Sequence, residues 1–371
     1  MRGGPTTDNR QPTTNMKAWL LTKNGDPLKS FALREVEAPA LKPGHVRIKC
    51  EGFGLNYADA MAVAGLYREA PPLPAILGYE VVGRIEACGD GVAHEVLGKR
   101  VLALTRFGGY AEQVIVDARG AIPVPDDLPI GEALALGTQG CTAWYMATYA
   151  FPLMPGQRVL VHSGAGGVGQ LLVQIAVQRG CEVFAVVGSK SKADHVRAMG
   201  AHHVIDRSQG DYAAQARKLL GHRPPTRRGE TQVGLKHKSR FDVSFNPVAG
   251  ATFKKDMALV GSGGAVVLFG GAARAGKAGG IFASLKFVWD MGLLLPIGLM
   301  MRSKSVIGIN MLKLGDHRPE LMGRCLREIV HAHSQGLVHP HVHGVVPAAD
   351  MPRMLAELGA GHTMGKVAVV W

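Results

Sequence analysis

"RVLVHSGAGGVGQLLVQIAVQRG", Arg158 to Gly180, decides the fold. A β-branched, apolar run leads directly into "GAGGVG", which opens a second apolar segment. In that segment Val168, Leu171, Leu172, Ile175 and Ala176 recur at i, i+3, i+4, i+7 and i+8, one face of a helix. Gly180 stops it. Strand, glycine turn and helix in this order are the fingerprint of a dinucleotide-binding βαβ unit. Gly164 serves the tight turn. Gly166 lets a pyrophosphate approach the backbone, and Gly169 lets helix and strand pack closely. Ala165, Gly167 and Val168 complete the loop, whose free N–H groups and helix dipole favour an anion.

The alternation continues outward. "CEVFAVVG" reads as a strand, "KADHVRAMG" as a helix, and "HHVID", "FDVSFNPV" and "GAVVLFGG" as further strands. Repeated βα units imply a doubly wound parallel sheet. The end of the second strand selects the cofactor. An acid there would hold a ribose 2′-hydroxyl, but "VVGSKSKADH" offers Ser189 and Lys192 and no acid before Asp194. Lysine and serine attract a 2′-phosphate, so the reading is NADPH.

From Met16 to about Pro125 the style differs. "HVRIKCEGFGL", "VVGRIEACG", "KRVLAL" and "YAEQVIV" are short β runs between turn residues. "LMGRCLREIVHAHSQGL" and "ADMPRMLAELGAG" read as helices, "VHGVV" and "GKVAVVW" as strands. The chain is expected to leave a β-rich domain, build the nucleotide domain and return. The boundaries are 16–140 plus 313–371 for the first domain and 141–312 for the second, after a polar disordered tail over 1–15.

A chain of 371 residues with 47% hydrophobic content and 49 glycines suits two globular α/β domains. Five scattered cysteines without a CxxC pair argue against a disulfide framework and for a reducing, cytoplasmic setting. Much of the excess behind the net charge of +13 sits in "HRPPTRRGETQVGLKHKSR", residues 222–240. Its prolines and low apolar content make it a solvated, protease-sensitive loop. Without aromatics to stack bases it argues against nucleic acid as a partner. "SLKFVWDMGLLLPIGLMMRSK", residues 284–304, reads as an apolar helix broken at Pro296 and laid over a cleft or core. The rival reading, a membrane-surface helix, lacks a strong basic face in the segment itself.

A second motif extends this reading. "LGYEVVGRIEACGDGV", Leu77 to Val92, has the glycine and glutamate spacing of zinc-dependent medium-chain alcohol dehydrogenases, with Tyr79 where that family places a zinc-binding histidine. Together with "GFGLNYADAMAVAGLY", "TQGCTAWYMA", "SGAGGVGQ", "FNPVAG", "LFGG" and "GKVAVV", the chain from Met16 to Trp371 resembles a medium-chain reductase. It is most similar to the zinc-free quinone oxidoreductase branch of the zeta-crystallin kind, near the synaptic vesicle membrane protein homologues. The resemblance implies a GroES-like barrel domain beside a Rossmann domain, and NADPH-dependent hydride transfer to a quinone or α,β-unsaturated carbonyl. Enoyl-thioester reduction is the first alternative. A non-catalytic cofactor-binding protein acting at membranes or RNA is the second.

The resemblance also implies site residues. Asn56 lies near the nicotinamide and is the first candidate to hold the ring or the acceptor oxygen. Tyr57 and Tyr67 are candidate donors to the developing oxyanion. Phe269 and Gly270 lie near the nicotinamide ribose, Thr142 in the helix entering the nucleotide domain and Asn246 are further cofactor contacts, Lys192 belongs to the 2′-phosphate and Lys366 to the pyrophosphate. Arg207 stands where some relatives stack a tyrosine on the adenine. "KSVIGINMLKL" ends the nucleotide domain as an edge strand through which relatives form homodimers.

Gly54, Leu55 and Asn56 stand at the first zinc-ligand region and Tyr79 at the second, and the four-cysteine structural lobe is missing, so no metal is expected. His339, His341 and His343 alternate and would share one face of a strand, but no Asp, Glu or Cys joins them. Asn56 is equally suited to N-cap a helix beginning at Tyr57.

Overall fold

The computed structural model describes residues 15–221, 239–274 and 280–371. Of the tail expected over 1–15, residues 1–14 lie outside the described residues, as does most of the basic loop, residues 222–238, while Asn15 already belongs to the first strand.

The chain opens with the antiparallel pair β1 (Asn15–Leu21) and β2 (Phe31–Glu37), linked by α1 (Pro27–Ser30); β1 also pairs with β4 (Ala75–Ile76). The main sheet of the first domain uses β3 (His45–Leu55), β5 (Glu80–Cys88), β6 (Arg100–Leu104), β7 (Gln113–Asp117) and β8 (Ala121–Pro123). Two strands from the far end of the chain complete it, β15 (Val342–Pro347) and β16 (Lys366–Val370). The order is β15-β16-β3-β5-β6-β8, with β7 paired to β3. Val367 lies opposite Leu55 and Ala368 opposite Gly54, so the C-terminal strand brings Lys366 to the end of β3. Helix α2 (Tyr57–Val63) follows that end directly.

Helices α3 (Ile130–Ala135) and α4 (Cys141–Tyr145) lead to the second sheet. Its strands are β9 (Arg158–His162), β10 (Glu182–Val187), β11 (His203–Asp206), β12 (Phe241–Asn246), β13 (Val260–Leu268) and β14 (Ser305–Gly308). All pair in parallel, in the order β11-β10-β9-β12-β13-β14. The winding reverses between β9 and β12, the place where open α/β sheets bind ligands. Every residue of β9 is buried, as expected of a strand covered on both faces. Helices α5 (Gly167–Gln178), α6 (Lys190–Ala198), α7 (Tyr212–Gly221) and α8 (Ala251–Leu259) flank the sheet. Leu171, Leu172, Ile175 and Ala176 of α5 are buried, as their spacing requires, and Gly180 ends the helix at φ 72°.

The apolar segment breaks at Pro296 as expected and lines an open groove through Leu293, Leu294 and Met301. It forms α9 (Gly280–Met291) and α10 (Pro296–Arg302), with Pro296 starting the second helix, where its missing N–H costs nothing. The segment does not cover a core: Trp289 and Met301 are each 79% exposed and Leu293 is 89% exposed. Edge strand β14 follows, then α11 (Met311–His317), α12 (Pro319–Ser334) and α13 (Met351–Gly359). Among the described residues no helix is long and apolar enough to cross a membrane.

Candidate functional site

Where β3 ends and α2 begins, Asn56 is buried, and its side-chain amide donates to both oxygens of Glu80, at 2.9 and 3.0 Å. The Asn56 backbone N–H donates to Asp59 Oδ2, 2.9 Å, which fixes the first turn of α2. The expected N-cap is found: Asn56 precedes α2 and shares a capping box with Asp59, while its amide NH2 goes to Glu80. Lys366 Nζ reaches the Leu55 carbonyl at 3.3 Å and Asn56 Oδ1 at 3.4 Å, and pairs with Glu80 Oε1. Thr138 donates to the second Glu80 oxygen. Lysine and glutamate here expose nothing, so each charge depends on the other and on these hydrogen bonds. This overturns the placing of Lys366 at the pyrophosphate, because its ammonium is consumed in the Glu80 cluster.

Asp59 is also fully buried, and burial pushes its carboxyl up to about 7 despite the Asn56 N–H. Tyr57, in the first turn of α2, is 36% exposed. Burial raises its phenol above the ordinary value, and does the same for Tyr67. Both therefore keep their protons through neutral pH, as a hydrogen-bond donor must. Tyr67 packs edge-to-face on Tyr79, with ring centroids 6.4 Å apart, and Tyr79 packs in turn on Phe107 at 5.3 Å. Outside this aromatic group, Arg106 bonds Asp316 of α11 at 2.6 Å and Lys313 meets Glu69 at 3.3 Å. Exposed ion pairs thus tie the loops around Tyr67 to the helix after β14.

The glycine loop joins β9 to α5 as predicted, with one change of role. The left-handed residue of the turn is Ser163, φ 54°, not Gly164. A Cβ at Gly169 would collide with the Ser163 carbonyl, which is the close packing expected of that glycine. A Cβ at Gly167 would collide with Gln139, so the turn before α4 abuts the loop. The first domain meets the loop too: Gly365 donates to the Ala165 carbonyl at 2.9 Å, and Gln170 and His341 exchange bonds of 3.1 and 2.7 Å. The phosphate loop and the Glu80 cluster thus flank the same short stretch, Gly365–Lys366.

At the end of β10, Ser189 starts α6 and accepts from the Lys192 N–H at 3.4 Å. Arg207 lies against Gly188, its guanidinium 3.1 Å from where a Cβ would stand. Lys192 Nζ donates to the Gly361 carbonyl at 2.5 Å. Burial, and then the charge of Arg207, hold the Lys192 ammonium below its ordinary value. Two neighbouring cations beside a helix N-terminus suit a phosphate dianion. Arg207 is thus placed with Ser189 and Lys192.

Other expected contacts are spoken for. The Thr142 hydroxyl donates to the Thr138 carbonyl at 2.5 Å. Asn246 donates to Asp256 at 2.5 Å and accepts the Val248 and Ala249 N–H groups at 2.8 and 2.9 Å. Its side chain shapes the 246–249 turn instead of facing a ligand. Its carbonyl accepts from Phe269 at 3.3 Å, which holds the Phe269–Gly270 loop against that turn. His339 and His341 precede β15, so the three alternating histidines do not share a strand face. Among the described residues no group of three or more His, Cys, Asp or Glu side chains is arranged to hold a metal.

A zinc would need three donors and an open position. Here the corresponding places hold an amide committed to Glu80 and a buried phenol, a donor set that does not fit zinc. Glu80, Thr138 and Gly54 were not foreseen as functional. The glutamate of the "LGYE" motif was the available signal, but its partners lie 24, 58 and 286 residues away in the chain.

Residues 42–126 match the alcohol dehydrogenase GroES-like domain and residues 167–326 the zinc-binding dehydrogenase domain. The human synaptic vesicle membrane protein VAT-1 homolog is 30% identical over 341 residues, covering 91% of this chain and 81% of its own. The solved Pseudomonas syringae quinone oxidoreductase is 27% identical, with a TM-score of 0.78 over 96% of this chain and all of that one. A mycobacterial protein solved with NADPH is 28% identical, with a TM-score of 0.76 over 96% and 100%. The chain belongs to the medium-chain dehydrogenase/reductase family.

Proposed function

We propose that this protein is an NADPH-dependent, zinc-independent oxidoreductase that delivers a hydride to a quinone or an α,β-unsaturated carbonyl. The observation that carries the proposal is the Asn56–Glu80–Lys366 cluster, which stands where zinc enzymes of this fold keep metal ligands, next to an intact phosphate loop. The bound cofactor supplies the hydride. The side chains supply position: Glu80 and Lys366 pin Asn56, which holds the ring or the acceptor oxygen. Tyr57 and Tyr67 donate to the oxygen on which negative charge develops, and solvent gives the final proton. In the zinc enzymes the metal polarises an isolated carbonyl as a Lewis acid for this step. A conjugated acceptor already spreads the charge, so orientation and hydrogen bonds suffice.

Ser189, Lys192 and Arg207 take the 2′-phosphate, which sets the preference over NADH. β14 is an edge strand of the second sheet and pairs with its copy in a homodimer, removing an exposed edge. The reducing cytoplasm is its compartment. The test is oxidation of NADPH and NADH with a panel of quinones, enones and enoyl thioesters. Turnover with quinones or enones and a preference for NADPH support the reading. Turnover confined to enoyl thioesters selects the alternative, and binding without turnover by any acceptor opposes catalysis.

A further inference from the structure

Between α3 and α4 the chain kinks. Gly137 leaves the helical region at ψ −120°, and the two residues after it send their side chains to different neighbours. Thr138 turns to Glu80. Gln139 turns to the phosphate loop, and its amide lies against the first residue of α5. A Cβ added at Gly167 would stand 2.2 Å from Gln139 Oε1 and 2.3 Å from its Nε2. One turn therefore touches both the Glu80 cluster and the loop.

Gln139 is only 6% exposed, and its Oε1 is buried without a hydrogen-bond partner among the described residues. An amide oxygen taken out of water and left unpaired lowers stability. Filling the space does not require it, because a methionine of similar volume and shape would do so with no strong acceptor. The polar residues around it are paired. The hydroxyls of Thr138 and Thr142 both donate, and Gln170 uses its amide oxygen and nitrogen on His341. Most buried polar side-chain atoms in proteins have a partner, so an unpaired acceptor against a phosphate loop points to a partner that arrives with the ligand.

The chemistry of that partner follows from the atom. Oε1 only accepts, so the group it meets must donate. The ionised oxygens of a pyrophosphate only accept, which rules them out. The adenosine end of the cofactor is assigned to Ser189, Lys192 and Arg207, beyond β10. Gln139 comes from the opposite side, from the turn that also reaches Glu80 and so Asn56, where the proposed function sets the nicotinamide. The donors of the nicotinamide half are its ribose hydroxyls and its carboxamide NH2.

We propose that Gln139 is a cofactor-binding residue whose Oε1 accepts a hydrogen bond from the nicotinamide half of NADPH, from a ribose hydroxyl or the carboxamide. The unpaired oxygen lowers the stability of the free protein and is paired when the cofactor binds. The inference rests on NADPH as the cofactor and on the proposed place of its nicotinamide, and on no particular acceptor.

The test is Gln139→Met in the full chain, read by thermal melting and by calorimetric titration with NADPH, with 2′,5′-ADP and with the reduced 3-acetylpyridine analogue of NADPH. None of these readouts needs turnover, so they stand apart from the acceptor panel. The free variant should melt at or above the wild-type temperature. It should bind 2′,5′-ADP, which lacks the nicotinamide half, as the wild type does, and NADPH about tenfold more weakly. An equal loss with the analogue, which has no carboxamide NH2, assigns the ribose hydroxyl as donor; a loss that disappears with it assigns the carboxamide. Wild-type affinity for NADPH would overturn the proposal and leave Gln139 a packing residue. A variant that melts lower and loses NADPH and 2′,5′-ADP alike would overturn it too, because that pattern belongs to a residue that merely holds the loop.

Discussion

Lys366 and Glu80 form an ion pair with no exposed side-chain surface, and Gly54 is the residue that makes room for it. A Cβ at Gly54 would collide with both Glu80 Oε1 and Lys366 Nζ, so the absence of a side chain there is a steric requirement of the pair. The pair joins the last strand of the chain to the third and fifth and, through Asn56, holds the entry to α2.

Removing one partner leaves a buried, unpaired charge. Glu80→Gln or Lys366→Met should each lower unfolding free energy by about 3–5 kcal/mol in denaturant titration. The double variant should lose less than the sum, because neither charge is then stranded. Additive losses would show that the two groups do not stabilise each other.

The fold was legible from two motifs and their periodicity: the glycine loop with the α5 apolar face, and the βα alternation that follows. The site was less so. Asn56 could be read as a ligand or as a cap; it caps α2 with Asp59, and its NH2 goes to Glu80, a partner set by β3–β5 pairing and invisible in local spacing. Lys366 follows Gly365, which bonds the phosphate loop, but its own side chain turns into the Glu80 cluster of the first domain. The apolar segment was read in part: it breaks at Pro296 and lines a groove, but Trp289 stays exposed, because the hydrophobicity of a helix says what it avoids, water, and not what covers it.

Asp59 gives a pH signature. Its folded carboxyl titrates at about 7, above the ordinary 3.8, so the folded state holds the proton more tightly than the unfolded one. This group's stabilisation is fully present below about pH 4 and is lost as pH rises to about 7. Asp59→Asn should therefore flatten the fall in melting temperature over that window. It should melt higher than wild type at pH 8, with the gap closing toward pH 4. A parallel pair of curves would contradict the assignment.

Asn56→Ala should lower the reduction rate roughly tenfold or more while NADPH affinity falls less, as for a hydrogen bond made chiefly in the transition state. Its melting temperature should fall too, since Glu80 loses a donor. Unchanged turnover at a reduced melting temperature would leave Asn56 a purely structural role.

Lys192→Ala and Arg207→Ala should each weaken NADPH about tenfold or more, the loss of one charge-assisted bond, and leave NADH nearly unchanged. High salt should produce the same selective loss in the wild type. Equal weakening of both cofactors, by titration of the binding isotherm, would place the 2′-phosphate elsewhere.

Hydride delivery to a conjugated acceptor without zinc is tested most directly by isotope transfer. Chelator-treated protein is given an enone with NADPH deuterated at either face of carbon 4, and the product is read by mass and NMR. The account predicts one deuterium at the β-carbon from one of the two labels, at a rate that added zinc does not raise. Transfer that appears only when zinc is restored, or a product without deuterium from either label, would contradict it.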